Sequence, residues 1–242
     1  MPDMSESGRF VKTGRWLRWG GAIAATSIVA AGLVGWALYR HIPAWYQPAY
    51  VPAEEEQDAR DALGAAFTAL SRGMGEGQPF DYVVRQDALN RWLVARERIW
   101  PASKRWIPDQ IRDPVVAFRQ DEVVVAGTWC GPGPRTVVSI RSRLEMVDGA
   151  PRIEVLSVRC GSLPVPLAPI KTQLARLERD RSERGRSLLP DGTSIVAATE
   201  GAPLPRDLPW SQPRGRFRIE GLQLVPGELR VRLRPIERDR SR

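Results

Sequence analysis

The alternation of apolar and polar positions changes period repeatedly along the chain. From Gly20 to Tyr39 twenty consecutive residues carry no charge. At about 1.5 Å per helical residue that run matches a hydrocarbon core of about 30 Å. After Glu54 the period becomes helical: Leu63, Ala66, Phe67 and Leu70 follow i, i+3, i+4, i+7, acids occupy the first turn, and Gly73, Gly75 and Gly77 end the pattern. A short β-like stretch, Phe80 to Val84, precedes a second helix that Asp87 is predicted to cap. Leu89, Trp92 and Leu93 share one face of that helix, and Pro101 stops it. The period then falls to two, predicting strands near 114–119, 122–129, 135–147 and 152–162, separated by the turn signals Gln120-Asp121, Cys130-Gly-Pro-Gly-Pro134 and Asp148-Gly149. A slip of phase between Val155 and Leu156 predicts a bulge. A third helix through Leu167, Ile170, Leu174 and Leu177 runs into the charged stretch 176–186, which reads as a solvated helix end. Two strands around Pro226-Gly227 close the chain, with Leu229, Val231 and Leu233 alternating with Arg230, Arg232 and Arg234.

The fold class this predicts is α+β: an N-terminal transmembrane helix followed by one domain in which a curved antiparallel β-sheet packs on helices. The segments are a basic N-terminus (1–19), the span (20–39), a Pro-rich linker (40–53) that holds the domain off the bilayer, the domain (54–236) and a polar tail (237–242). Arg9, Lys12, Arg15 and Arg18 precede the apolar run, whereas Arg40 and then the acids Glu54, Glu55, Glu56 and Asp58 follow it. The cation bias places the N-terminus in the cytoplasm and the domain outside. Trp16, Trp19, Trp36, Tyr39, Trp45 and Tyr46 flank the run as residues of the membrane interface. A cleaved signal peptide shares the basic start, but the apolar run exceeds an h-region of about 7–15 residues, which favours an uncleaved anchor. Ser27, Ala31 and Gly35 form a small-residue stripe through which two anchors would meet in a homodimer.

Charge and composition narrow the chemistry. Thirty-six Lys and Arg against 28 Asp and Glu give a net charge of +8, and the chain has one His and two Cys. That stock excludes zinc clusters, haem ligation and His-dependent hydrolysis, apart from chemistry built on His41, which reads as an interfacial residue. No nucleophile elbow, phosphate-binding loop or HExxH pattern is present, so the chain reads as non-catalytic, with no metal and no cofactor. Arg91, Trp100, Lys104 and Arg105, in a stretch of interleaved indoles and cations, are candidates for lipid headgroup contact. Location outside the membrane argues against a nucleic-acid partner. Cys130 and Cys160 are the candidate disulfide pair. A flat sheet separates them by about 10 Å, beyond disulfide reach, whereas a curled fourth strand brings them together, so both states stay open.

The succession of a membrane anchor, the Asp87-Ala-Leu-Asn90-Arg-Trp-Leu93 turn, an antiparallel meander and the Gly161-Ser-Leu-Pro-Val-Pro166 step resembles the YpmS-like family of bacterial membrane-anchored proteins, and more distantly the tubular lipid-binding folds. The resemblance implies a long sheet wrapped on a helix around an apolar groove able to hold an acyl chain. Val123, Val125, Trp129, Val138, Ile140, Leu144, Leu229, Val231 and Leu233 would line it. The expected function is presentation or binding of a lipid or other apolar envelope component at the bacterial inner membrane. The alternative is an assembly factor that contacts an envelope protein partner.

Overall fold

The computed structural model describes residues 11–101, 103, 107–182, 197, 199–211 and 214–236; in the first helix side chains are described from residue 25 on. Among the described residues there are four α-helices, α1 (Val11–Arg40), α2 (Glu56–Glu76), α3 (Gln86–Ile99) and α4 (Leu167–Ser182). Ten strands accompany them: β1 (Phe80–Arg85), β2 (Ile111–Arg119), β3 (Glu122–Trp129), β4 (Thr136–Val147), β5 (Ala150–Cys160), β6 (Leu163–Val165), β7 (Glu200–Pro203), β8 (Asp207–Ser211), β9 (Arg214–Val225) and β10 (Glu228–Ile236). The class is α+β with antiparallel pairing throughout. The strands form two sheets rather than one curved sheet: β1-β10-β9-β8, and β2-β3-β4-β5-β6 with β7 also on β5. Strand β9 makes contacts with β2, β4 and β5 of the other sheet.

Local chemistry sets the element boundaries. Gly77 ends α2 in the left-handed conformation, at φ 70°, where a residue without Cβ pays no steric penalty. The turn residues Asp121, Asp148 and Gly149 all have positive φ, as tight hairpins require. The bulge falls where the phase slip predicts it: Ile140 pairs with Val158 and Arg141 with Ser157, but Ser142 pairs with Val155, leaving Leu156 extra. Asp87 does not cap α3. The helix starts one residue earlier, Arg85 is its N-cap without a side-chain bond, and Asp87 instead pairs with Arg85 at 3.4 Å on the surface.

Hydrogen bonds around Gln86 stitch the two sheets together. The Gln86 amide donates to the Gly227 carbonyl (2.9 Å), the Gly227 amide donates to the Phe118 carbonyl (3.1 Å), and the Phe118 amide donates to Gln86 Oε1 (2.7 Å). One helix turn along, Asn90 gives Nδ2–H to the Val116 carbonyl (2.9 Å) and takes the Val116 amide on Oδ1 (2.7 Å). Residues i and i+4 of a helix are about 6 Å apart along its axis, and i and i+2 of a strand about 6.6 Å. Gln86 and Asn90 therefore match the spacing of Phe118 and Val116 and occupy the open edge of β2.

The segment after α1 is not a spacer. Tyr46 is buried with Val115, Ala126 and Val137, with Trp45 packed against them, and Val51 is buried with Ala59 and Ala95. The Tyr46 hydroxyl donates to the Asp113 carbonyl (2.7 Å) and lies 2.9 Å from Thr128 Oγ1. Trp45 lies edge-on to Tyr46 with the Arg119 guanidinium 5.4 Å above its ring. Two of the six aromatic residues expected at the membrane interface, Trp45 and Tyr46, thus serve the domain core, because the meander offers them an apolar face that Ala126 leaves shallow.

Register also decides the cysteines. Cys160 pairs with Val138 and Val138 with Gly127, so Cys130 lies two strands across and three residues beyond, about 14 Å away. That is outside disulfide reach, and both thiols are free. Burial pushes the Cys160 thiol above its ordinary value.

Candidate functional site: a cleft between two helices and an edge strand

The α2 face turned towards α3 is built from small side chains. Ala59, Ala62, Leu63 and Ala66 recur at i, i+3, i+4, i+7 and cannot fill the gap between two helix axes, which normally sit 8–10 Å apart on bulkier contacts. The result is a cleft of about 430 Å³, within the range of about 300–1,000 Å³ common for small-molecule sites. Leu89 and Trp92 from α3 and Tyr82 and Val84 from β1 complete its apolar lining, and Asp58, Arg85, Asp87 and Arg91 stand around it. Burial pushes the Tyr82 phenol above its ordinary value, so that wall stays uncharged at neutral pH. The lining charges are locally balanced: Arg91 is bonded to Glu55 at 2.7 Å and Arg85 to Asp87. Such a cavity can hold an uncharged or single-chain apolar group. No nucleophile with an adjacent base lines it, and among the described residues no three His, Cys, Asp or Glu gather to hold a metal.

The groove residues expected from the resemblance divide between the two sheets. Leu229, Val231 and Leu233 do share a face with the cleft wall: Val231 pairs with Tyr82, Leu229 with Val84 and Leu233 with Phe80. Val123, Val125, Trp129, Val138, Ile140 and Leu144 belong to the other sheet. There the most buried positions have the opposite phase. Val124 is 1% exposed, whereas its neighbour Val125 is 46% exposed and the cross-strand partner Ile140 39%. The segment carrying Trp45 and Tyr46 covers the other face of β3 and β4, which leaves this pair open. Trp129 folds back on its own turn, where a Cβ on Gly131 would lie 2.5 Å from the indole.

Of the headgroup candidates, Arg91 is tied to Glu55 and Trp100 is exposed at the end of α3; Lys104 and Arg105 lie outside the described residues, as do the side chains of Trp16 and Trp19. Trp36 is exposed and stacks on Tyr39 at 6.2 Å. Among the described residues no helix is long and apolar enough to cross a membrane; positions 20–24 of the expected span lie outside the described side chains. The cleft residues Ala59, Ala62 and Ala66 are invisible to a search for large apolar side chains. Their signal is the reverse, alanines at helical spacing on a face that must meet another helix. No protein family matches the chain, and no curated protein or solved structure is similar to it.

Proposed function

We propose that the chain is a single-pass membrane-anchored protein whose α+β domain binds a lipid or other apolar molecule, without catalysis, in the cleft between α2, α3 and β1. The observation that carries the reading is that cleft, an apolar space of ligand size with charged side chains at its margin. The anchor half draws on α1, a 30-residue helix on which Ile28, Val29, Leu33, Val34 and Leu38 are all exposed. Its stretch from residue 20 to 39 carries no charge, and a helix that shows apolar side chains all round suits lipid as its surroundings. The test is mass spectrometry of organic extracts from the full chain purified from membranes. Wild type should release a stoichiometric lipid, and Ala66→Trp, which fills the cleft, should release none while keeping its urea midpoint. An empty wild-type cleft, together with no rise in Tm on adding single-chain fatty acids or lysolipids, would overturn the lipid reading. A second reading, an assembly factor for an envelope protein, is favoured by the exposed Val125–Ile140 pair, since large apolar side chains open to water on one sheet face suit a protein partner. Crosslinking through that face that recovers one dominant protein would select it.

A further inference from the structure

The last turn of α1 is capped largely by the domain, beside a long local bond from the His41 amide to the Leu38 carbonyl (3.4 Å). Helix ends leave carbonyls without intrahelical partners, and here two turns of the meander satisfy them. The Ser162 amide donates to the Leu38 carbonyl (2.8 Å) and Thr136 Oγ1 to the Tyr39 carbonyl (2.5 Å). Tyr39 returns a bond from its hydroxyl to the Pro134 carbonyl (3.3 Å), and Ser162 Oγ lies 2.7 Å from His41 Nδ1. Gly161, at φ 61°, has no room for a Cβ, which would overlap the carbonyl oxygens of Leu38 and Tyr39. Five residues beyond His41, Tyr46 is locked into the core. The helix end is thus clamped from both sides, and the domain has one orientation relative to it.

That orientation puts a particular surface beside the helix end. Pro132, Gly133, Pro134 and Arg135, between β3 and β4, are exposed next to Tyr39. Arg40 and Arg135 are exposed cations that make no ion pair among the described residues. The acids at this end, Asp109 and Asp113, sit on the β2 side with Arg112, so the balance across the end is positive. Trp36 and Tyr39, stacked one turn below, are the ring types that settle at headgroup depth.

We propose that the Pro132–Arg135 turn with Arg40 is a bilayer-docking surface that contacts the phosphates of anionic lipids. The proposal rests on the membrane-anchored reading above. It assigns the headgroup contact to this turn and not to the Arg91–Arg105 stretch. Cations near an anionic surface are attracted over about a Debye length, and the attraction fades with salt.

The test uses the full chain in vesicles, with Cys130→Ser and Cys160→Ser and a single fluorescent label at Pro132→Cys or Gln120→Cys. Gln120 lies in the turn at the opposite end of β3, eight residues long, hence about 26 Å away. Flotation first reports whether the chain is in the membrane. Quenching by headgroup-spin-labelled lipid then reports depth. The expected result is quenching several-fold stronger at 132 than at 120, increased further by anionic lipid, with that increase lost in Arg40→Gln/Arg135→Gln. Flotation with equal quenching at both sites overturns the docking surface and leaves the anchor standing. Quenching at 132 that ignores lipid charge overturns the phosphate contact. Failure to float overturns the anchor and the docking surface with it.

Discussion

Tyr46 shows how one side chain ties the segment after α1 to the meander. Its ring fills the shallow face made by Ala126, and its hydroxyl reaches the carbonyl of Asp113, a residue held at φ 51° beside Pro114. Tyr46→Phe keeps the ring and removes the donor, leaving a partly buried carbonyl unsatisfied. The expected cost is about 1–3 kcal/mol, read as a lower urea midpoint. The same phenol carries a pH signature. Burial raises it above its ordinary value of about 10, against the opposing hydrogen bond from Thr128. The folded state therefore favours the neutral form more than the unfolded chain does. Its contribution is complete below about pH 10 and is lost as pH rises through the raised value. Alkaline denaturation should be shallower in Tyr46→Phe than in wild type. Sequence alone places Tyr46 at the membrane because Trp and Tyr beside an apolar run have one default meaning. The contrary signal, a row of small residues in the meander needing a cover, lies eighty positions away and has no local pattern.

At the scale of elements, the strands that read most clearly are those where one face is wet and the other dry. The hairpins around Gln120-Asp121, Asp148-Gly149 and Pro226-Gly227, and the bulge at Leu156, follow from alternation and turn chemistry alone. The strands β7 and β8 do not, being four and five residues long and carrying Pro203 and Pro209, and their pairing is fixed by β5 and β9. Least readable is the management of the β2 edge. An open edge invites pairing with another chain, and here two helix side chains close it. Asn90 lies in the first turns of α3, and its side chain stands in for a neighbouring strand. Asn90→Leu removes both hydrogen bonds to Val116 and leaves a partly buried amide and carbonyl without partners. A loss of about 1–3 kcal/mol per stranded group is expected in urea titrations. Concentration-dependent association through the freed β2 edge, followed by light scattering, should accompany it. A variant that keeps wild-type stability and stays monomeric would show that the edge is protected by other means.

For the whole molecule, the boundary between α1 and the domain lies earlier than periodicity places it. Composition marks the end of the linker near residue 53, where helical spacing begins, but the two core clusters reach back across that line to Tyr46 and Val51. Pattern reading misses this because a single buried aromatic between prolines has no period. The physical boundary is the clamp at residues 38–41, where few contacts join α1 to the sheet and those are hydrogen bonds from Thr136 and Ser162. Two truncations separate the alternatives. A chain starting at residue 42 loses α1 but exposes only carbonyl-binding groups that water can satisfy, so it should fold cooperatively. A chain starting at residue 54 strips the cover from both clusters. Each fully buried side chain of this kind contributes about 1.5–3 kcal/mol, and the cavities left behind add to the loss. Against a total stability of roughly 5–15 kcal/mol, the shorter chain should show a urea midpoint lowered by a large fraction of its value, or no folded baseline at all. Equal midpoints for the two would restore the linker to a passive spacer, and the single orientation of the domain on α1 would go with it.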